Sequence, residues 1–538
     1  MVKRYLKKSK SISITLLIVG LGLLILGTIQ SANEDEGEVA IEIIKRDKLM
    51  PAAHNVYANP NALNGKYYLF KATITNKTKK SLKNLSVKYR IPGYIEWTEL
   101  ELVGKMFKNQ STVVLCYPKF DSKITEKTTE SIETVEILID WDGSKNNSLK
   151  ETFDFKLADR NEFIYTNLSK DEISGWSDIF DNTVLLPCFV TPNDPVVQYY
   201  TQNIQEKILR GEKASIGKKP EEAIRFLMGI YEATLKSGMV YSSVKGIPSN
   251  LKDNSQYSQY NRLPREVITG NTGLCLELSL LYASVLSNAG LEPIIFMIPG
   301  HAFPGVIFNG SYYAIEATGI GGEGIGGRMS TEKAFEYGMK ELNDFFDKAM
   351  IGDPKYNIID IVRLNQEGVT AMYLPNDNFL KEKVDQIASR WVQKSFNIVG
   401  KLFEQNYFAP SADLSFNIPH TWEVNRMPDA SFPVLTAQVT SPDNQIVANV
   451  FDFPGISSDS IALSKLKIEL SKNQKELEFL KTNEDVDGII ITEKGNFKWI
   501  GKTISSIHGM RFVMIGTDEA KFEENKEIIN ELYESIKK

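Results

Sequence analysis

The chain has 538 residues, 42% hydrophobic and 24% charged, with 21 prolines, which makes it too long for one core and too apolar for global disorder. Its 62 basic and 68 acidic residues leave a net charge of −6, with no basic excess to engage nucleic acid. Three cysteines and four scattered histidines exclude a disulfide scaffold, a cysteine-built zinc ribbon and a His-rich metal centre.

Residues 1–10 carry Lys3, Arg4, Lys7, Lys8 and Lys10 without an acid. Ile12 to Ile29 then runs without a charge, about 27 Å of helix at 1.5 Å per residue, close to the thickness of a bilayer's hydrocarbon core. Basic residues resist translocation, so the sequence predicts a cytoplasmic tail at 1–10 and a transmembrane anchor at 11–30, with the bulk of the chain extracytoplasmic at the cell surface. Ile29-Gln30-Ser31-Ala32 is a poor small-x-small cleavage site, which favours an uncleaved single-pass anchor over a cleaved signal peptide. Removing the five basic tail residues leaves 57 basic against 68 acidic, a surplus that does not attract anionic lipid headgroups.

From 38 to 163 the apolar period is two. Leu85, Val87, Tyr89 and Ile91 alternate with polar residues, as do Val135, Ile137, Ile139 and Trp141, and breakers stand at Asn64-Gly65, Pro92-Gly93 and Asp142-Gly143. This predicts an immunoglobulin-like β-sandwich, read as a spacer.

From 167 to 403 the period changes to 3.6. Asp194-Pro195 opens a helix that runs toward Arg210, Ile224, Leu227, Met228, Tyr231 and Leu235 form a stripe after Pro220, and Leu263-Pro264-Arg265-Glu266 opens a short helix. Cys275 to Ala289 is apolar all round and stopped by Gly290, the pattern of a buried central helix.

The last block, 408–538, is mixed. Strands are expected at 414–418, 434–439, 448–453, 488–491 and 512–515, and a closing helix should bury Ile528, Ile529, Leu532, Tyr533 and Ile536. "FNIPHTWEV" and "YESIKK" resemble the PsbP-like domain, which implies an α+β sandwich that binds rather than catalyses.

One constellation carries chemistry. Cys275 follows Gly270-Asn271-Thr272-Gly273-Leu274 at a helix start, where unpaired amides and the helix dipole favour a thiolate and can receive an oxyanion. His301 opens a strand that turns at Asn309-Gly310, a type I′ hairpin signal. A two-residue loop pairs Phe308 with Ser311, so His301 falls opposite Thr318 and Glu316 lies diagonally on the same face, within reach of the imidazole. His54, His420 and His508 have no partner nearby in sequence, and Cys116 and Cys188 read as core thiols. The glycine run Gly319 to Gly327 lacks the Lys-Ser/Thr of a phosphate loop and reads as a mobile loop that gates the site.

"TGLCLELSLLYASVLSNAGLEP", "PGHAFPGV" and "AIEAT" resemble the transglutaminase-like, papain-like cysteine superfamily, over about Pro264 to Thr318. The resemblance implies Cys275 as nucleophile, His301 as general base and acid, and Glu316 as the orienting acid. Two departures stand out: the family's acid is more often aspartate, and the residue two after the histidine is more often tryptophan, where this chain has Phe303. The expected fold is therefore a multidomain α+β chain of anchor, β-sandwich, transglutaminase-like core and C-terminal α+β domain. The expected activity is acyl transfer at amides of a protein or peptide substrate, as hydrolysis or as crosslinking with hydrolysis favoured, without metal or organic cofactor. The alternative is a non-catalytic surface scaffold on a degenerate version of the same fold.

Overall fold

A computed structural model describes residues 38–537 except 143–146, 211–219, 243–245, 252–256, 309, 324–326, 350–351, 397–405, 412–413, 419–421, 427–433, 442, 473–476, 482–488, 494–496 and 507–508. The expected tail and anchor at 1–30 lie outside the described residues, as do His420 and His508. Among the described residues no helix is long and apolar enough to cross a membrane. The chain is mixed α and β with several sheets, and its described residues fall in two units: those within 38–47, 68–118 and 132–155 form the first, and those within 48–67, 119–131 and 156–537 the second.

The first unit pairs β1 (Val39–Lys45), β2 (Phe70–Asn76) and β5 (Ser111–Cys116) in one antiparallel sheet. A second sheet orders β4 (Ile95–Met106), β3 (Leu82–Ile91), β6 (Ser131–Asp142) and β7 (Ser148–Leu157). Its alternating Leu85, Val87, Tyr89, Ile91, Val135, Ile137, Ile139 and Trp141 are all buried, each such side chain contributing roughly 1.5–3 kcal/mol. Phe70 of one sheet meets Tyr89 of the other edge-on at 6.3 Å, as period-two strands require when only one face is apolar. Two excursions inside the 38–163 block, 48–67 and 119–131, belong to the second unit.

In the second unit α1 (Pro195–Asn203) starts as the sequence implies, with the Asp194 side chain accepting from the Val196 amide at 2.8 Å. It reaches toward Arg210 through a wider turn, Ile204–Ile208. α2 (Pro220–Ser237) buries Ile224, Leu227, Met228, Tyr231 and Leu235, and α3 (Pro264–Gly270) ends on left-handed Asn271. α4 (Cys275–Asn288) is buried throughout its apolar length. Past its end Gly290 adopts φ +82°, the left-handed turn that releases a helix.

A six-stranded antiparallel sheet packs against α4. Its order is β11 (Asn357–Asp360), β8 (Glu292–Ile298), β9 (His301–Phe308), β10 (Ser311–Ala314), β12 (Asn406–Ser411) and β13 (Leu414–Ile418). α5 (Thr331–Ala349) lies on it with Gly338 directly against the Ile315 backbone, an approach that any Cβ would block. The two outer strands lie at the junction of the expected middle and C-terminal blocks: β13 hydrogen-bonds within this sheet, while Leu414, Phe416 and Ile418 pack into the next core.

That core belongs to a seven-stranded antiparallel sheet, ordered β14 (Glu423–Arg426), β15 (Leu435–Thr440), β16 (Ile446–Pro454), β20 (Gly509–Asp518), β19 (Phe497–Ser506), β18 (Ile489–Glu493) and β17 (Leu477–Lys481). Alternation feeds both faces. Ala448, Val450, Val513 and Ile515 pack with α7 (Phe522–Glu534), whereas Phe451, Phe453, Phe512 and Met514 pack with α6 (Asp459–Lys472). In α7 the expected Ile529, Leu532 and Tyr533 are buried, with Ile536 just beyond it, but Ile528 is 43% exposed because it sits off that stripe.

Candidate active site

Leu274 is the N-cap of α4 and has no side-chain acceptor to offer, so the first-turn amides from Cys275 onward lack intrahelical partners. Glu277 supplies the reciprocal half of a capping box, its Oε2 accepting from the Leu274 amide at 2.9 Å. Arg262 clamps that carboxylate from the other side, its Nη2 donating to Oε2 at 2.7 Å and its backbone amide to Oε1 at 2.7 Å. Glu277 is 1% exposed and Cys275 5%. The thiol therefore stands at the positive end of a helix whose start is fixed by a buried ion pair.

The hairpin register agrees with the sequence arithmetic as far as it is paired. Phe308 faces Ser311, Ile307 Tyr312, Val306 Tyr313 and Gly305 Ala314, with Gly310 at φ +77° in the turn. The Ile315 amide still donates to the Pro304 carbonyl at 3.1 Å, but the Glu316 amide turns away to the Ala334 carbonyl of α5 at 3.0 Å. The ladder stops there, so Thr318 is not across from His301. It folds back instead, its amide and hydroxyl donating to Glu316 Oε1 at 2.6 and 2.5 Å.

Glu316 Oε2 lies 3.1 Å from His301 Nε2, and Cys275 is close enough to act on the charge of the same imidazole. With Nε2 held by Glu316, Nδ1 is the ring nitrogen left for the thiol. Burial works against the charged imidazole, but the bonds to Cys275 and Glu316 and their charges outweigh it and hold His301 well above its ordinary pKa. Burial likewise opposes the Glu316 carboxylate, while the His301 bond and charge, with bonds from Glu341 and Thr318, bring it down to about 2. Phe303 stacks near the imidazole at 6.1 Å. The structure thus brings Cys275, His301 and Glu316 together, with His301 and Glu316 hydrogen-bonded at 3.1 Å.

Neighbours without a sequence signal complete the site. Val240–Tyr241 runs parallel to Thr272–Gly273 just before the thiol, which places the Tyr241 hydroxyl close enough to Cys275 to feel its charge. Burial first, then the Cys275 sulfur, push the Tyr241 hydroxyl well above its usual pKa, which keeps it a donor. The glycine run is tied to the same strand: the Tyr241 amide donates to the Gly321 carbonyl at 2.9 Å and the Glu323 amide to the Tyr241 carbonyl at 3.2 Å. Gly322, at φ +85°, lies so close to that carbonyl that a side chain there would strike it. The run's first half is therefore a pinned wall of the site rather than a free loop.

Glu341, on α5, has Oε1 4.0 Å from His301 Nε2 and brings its carboxyl close to that of Glu316. Donor atoms of His301, Glu316 and Glu341 all lie within 4.8 Å of one another, close enough for a cation in principle. Both Glu316 oxygens are already engaged, however, and entry would break the His301 bond.

The other cysteines and His54 differ from this group. All three cysteines are free, and burial pushes the Cys116 and Cys188 thiols far up from their usual range. His54 is a core residue, with Nδ1 3.0 Å from the Pro51 carbonyl.

No family model matches the chain, and no curated protein matches it. Among solved structures it is similar to the solution structure of cyanobacterial PsbP (CyanoP) from Synechocystis sp. PCC 6803, at 11% identity and a TM-score of 0.21, covering 27% of this chain and 96% of that one.

Proposed function

We propose that the chain is a transglutaminase-like cysteine enzyme that transfers acyl groups from amides, hydrolysing peptide bonds at an extracytoplasmic membrane surface. The observation that supports it is the line Cys275–His301–Glu316, with the thiol at the first residue of a buried helix. In this reading the Cys275 proton passes to His301 Nδ1 and the thiolate attacks the amide carbon. The oxyanion meets the first-turn amides of α4 and the Tyr241 hydroxyl. The leaving amine takes the proton back from His301, which leaves a thioester on Cys275. Water, deprotonated by His301, then attacks the thioester, and an acid is released with the thiol restored. An amine in place of water gives crosslinking by the same steps.

The test is alkylation of the full chain by iodoacetamide near neutral pH, with Cys275 followed by peptide mass mapping. Labelling of Cys275 should outpace that of free cysteine and slow at least tenfold in His301→Ala, because the imidazole no longer stabilises the thiolate. Equal rates in the two proteins would leave only a binding scaffold.

A further inference from the structure

The unused group in this site is Glu341. Ala334, Gly338, Glu341 and Phe345 recur at helical spacing along the inner stripe of α5, and all but Glu341 are apolar or glycine. Gly338 lets the helix touch the Ile315 backbone, which sets Glu341, one turn on, beside Glu316. Two carboxyl groups hydrogen-bond only when one of them carries a proton. Glu341 Oε2 is buried without a hydrogen-bond partner among the described residues, a poor place for half of an ionised carboxylate.

We propose that Glu341 is a positioning residue, a protonated acid that donates to Glu316 Oε2 and so holds the triad carboxylate against His301 while adding no second negative charge to the pair. This rests on the cysteine-enzyme reading above. Thr318 fixes one oxygen of Glu316 and His301 meets the other, and the Glu341 carboxyl stands within 4.8 Å of that pair, where a proton on it can bridge to Glu316 and keep the carboxylate from rotating away from the imidazole. Burial first, then the Glu316 charge and bond, raise the Glu341 pKa to about 8.

The groups facing Glu341 are His301 from β9, Glu316 from the segment after β10 and Asp344 from its own helix. α2, which also packs on α5, brings Glu232, but that carboxylate is taken by Thr331, Lys236 and Lys394. Above its pKa an ionised Glu341 places a second anion near His301 and favours the imidazolium, so the reactivity of the thiol changes there.

The experiment is the pH profile of Cys275 alkylation by iodoacetamide in the full chain, from about pH 5 to about pH 10, which spans the groups concerned. Wild-type protein should show a step in rate at about 8. Glu341→Gln still donates to Glu316 but never ionises, so it should keep the neutral rate, lose the step, and bring the imidazolium limb down by about one unit or more. Glu341→Ala removes the donor and should lose rate several-fold at neutral pH, with circular dichroism reporting its fold. Superimposable wild-type and Glu341→Gln profiles, with His301→Ala still slow, would overturn this role and leave the enzyme reading standing. A His301→Ala rate equal to wild type at every pH would instead remove the reading on which it rests.

Discussion

Glu316 owes its low pKa to a crowded set of donors, and the donors differ in weight. Its bond to His301 is the one that sets the imidazole tautomer and steadies the imidazolium. Glu316→Gln should therefore cut turnover of a peptide substrate roughly 10²–10⁴-fold, read as kcat/KM, while a thermal melt moves little. Thr318→Ala loses only the hydroxyl donor, since the backbone amide stays on Oε1, so its kcat/KM should fall far less. The reverse ranking would place the third catalytic group elsewhere. Glu316 was legible in the sequence because a two-residue turn fixes a register by counting. The fold-back of Thr318 was not, because counting cannot tell where a ladder stops: Glu316 leaves it to bond Ala334 on a helix that begins well beyond the hairpin. Glu341 was hidden for a different reason. An acid on an amphipathic helix reads as solvated, and only the observation that it interrupts an apolar stripe marks it out.

Among the elements, α4 was the most legible, since its all-round apolarity demands burial and Gly290 ends it. What fixes its start is less visible: Glu277 stands at the third helical position and satisfies the amide that Leu274 cannot cap. Glu277→Ala removes that acceptor and leaves Arg262 without its buried partner, so it should cost about 2 kcal/mol, measured by chemical denaturation. Alkylation of Cys275 should slow beyond what this loss of stability explains, because the first turn of the helix frays. Equal stability in the variant would show that the Arg262 clamp contributes nothing. Short strands escaped the sequence altogether. Val240–Tyr241 and Thr272–Gly273 pair over two residues each, too few for any period. β19 was masked by Gly501, which breaks its alternation because the Phe512 ring occupies the place of a side chain.

For the whole molecule, the change of apolar period from two to 3.6 marks where strand faces give way to helix stripes, since a strand face and a helix stripe bury different residues. It could not show that segments 48–67 and 119–131 count with the second unit, because excursions of that size carry no period of their own. The basic tail motivates a prediction at this scale: protease added outside intact cells should digest the bulk of the chain and spare its first thirty or so residues, as an anchor crossing once would require. Protection of the large part would place it inside. β13 gives the molecule a timetable. It completes the sheet that carries His301, yet its side chains find their core only with Ile529, Leu532 and Tyr533. At about 5–20 residues per second of synthesis, the ribosome delivers Cys275 many seconds before the strand and helix that finish its surroundings. The nascent chain therefore exposes the Cys275 helix early and completes the sheet that carries His301 last, which puts assembly of the proposed site near the end of synthesis.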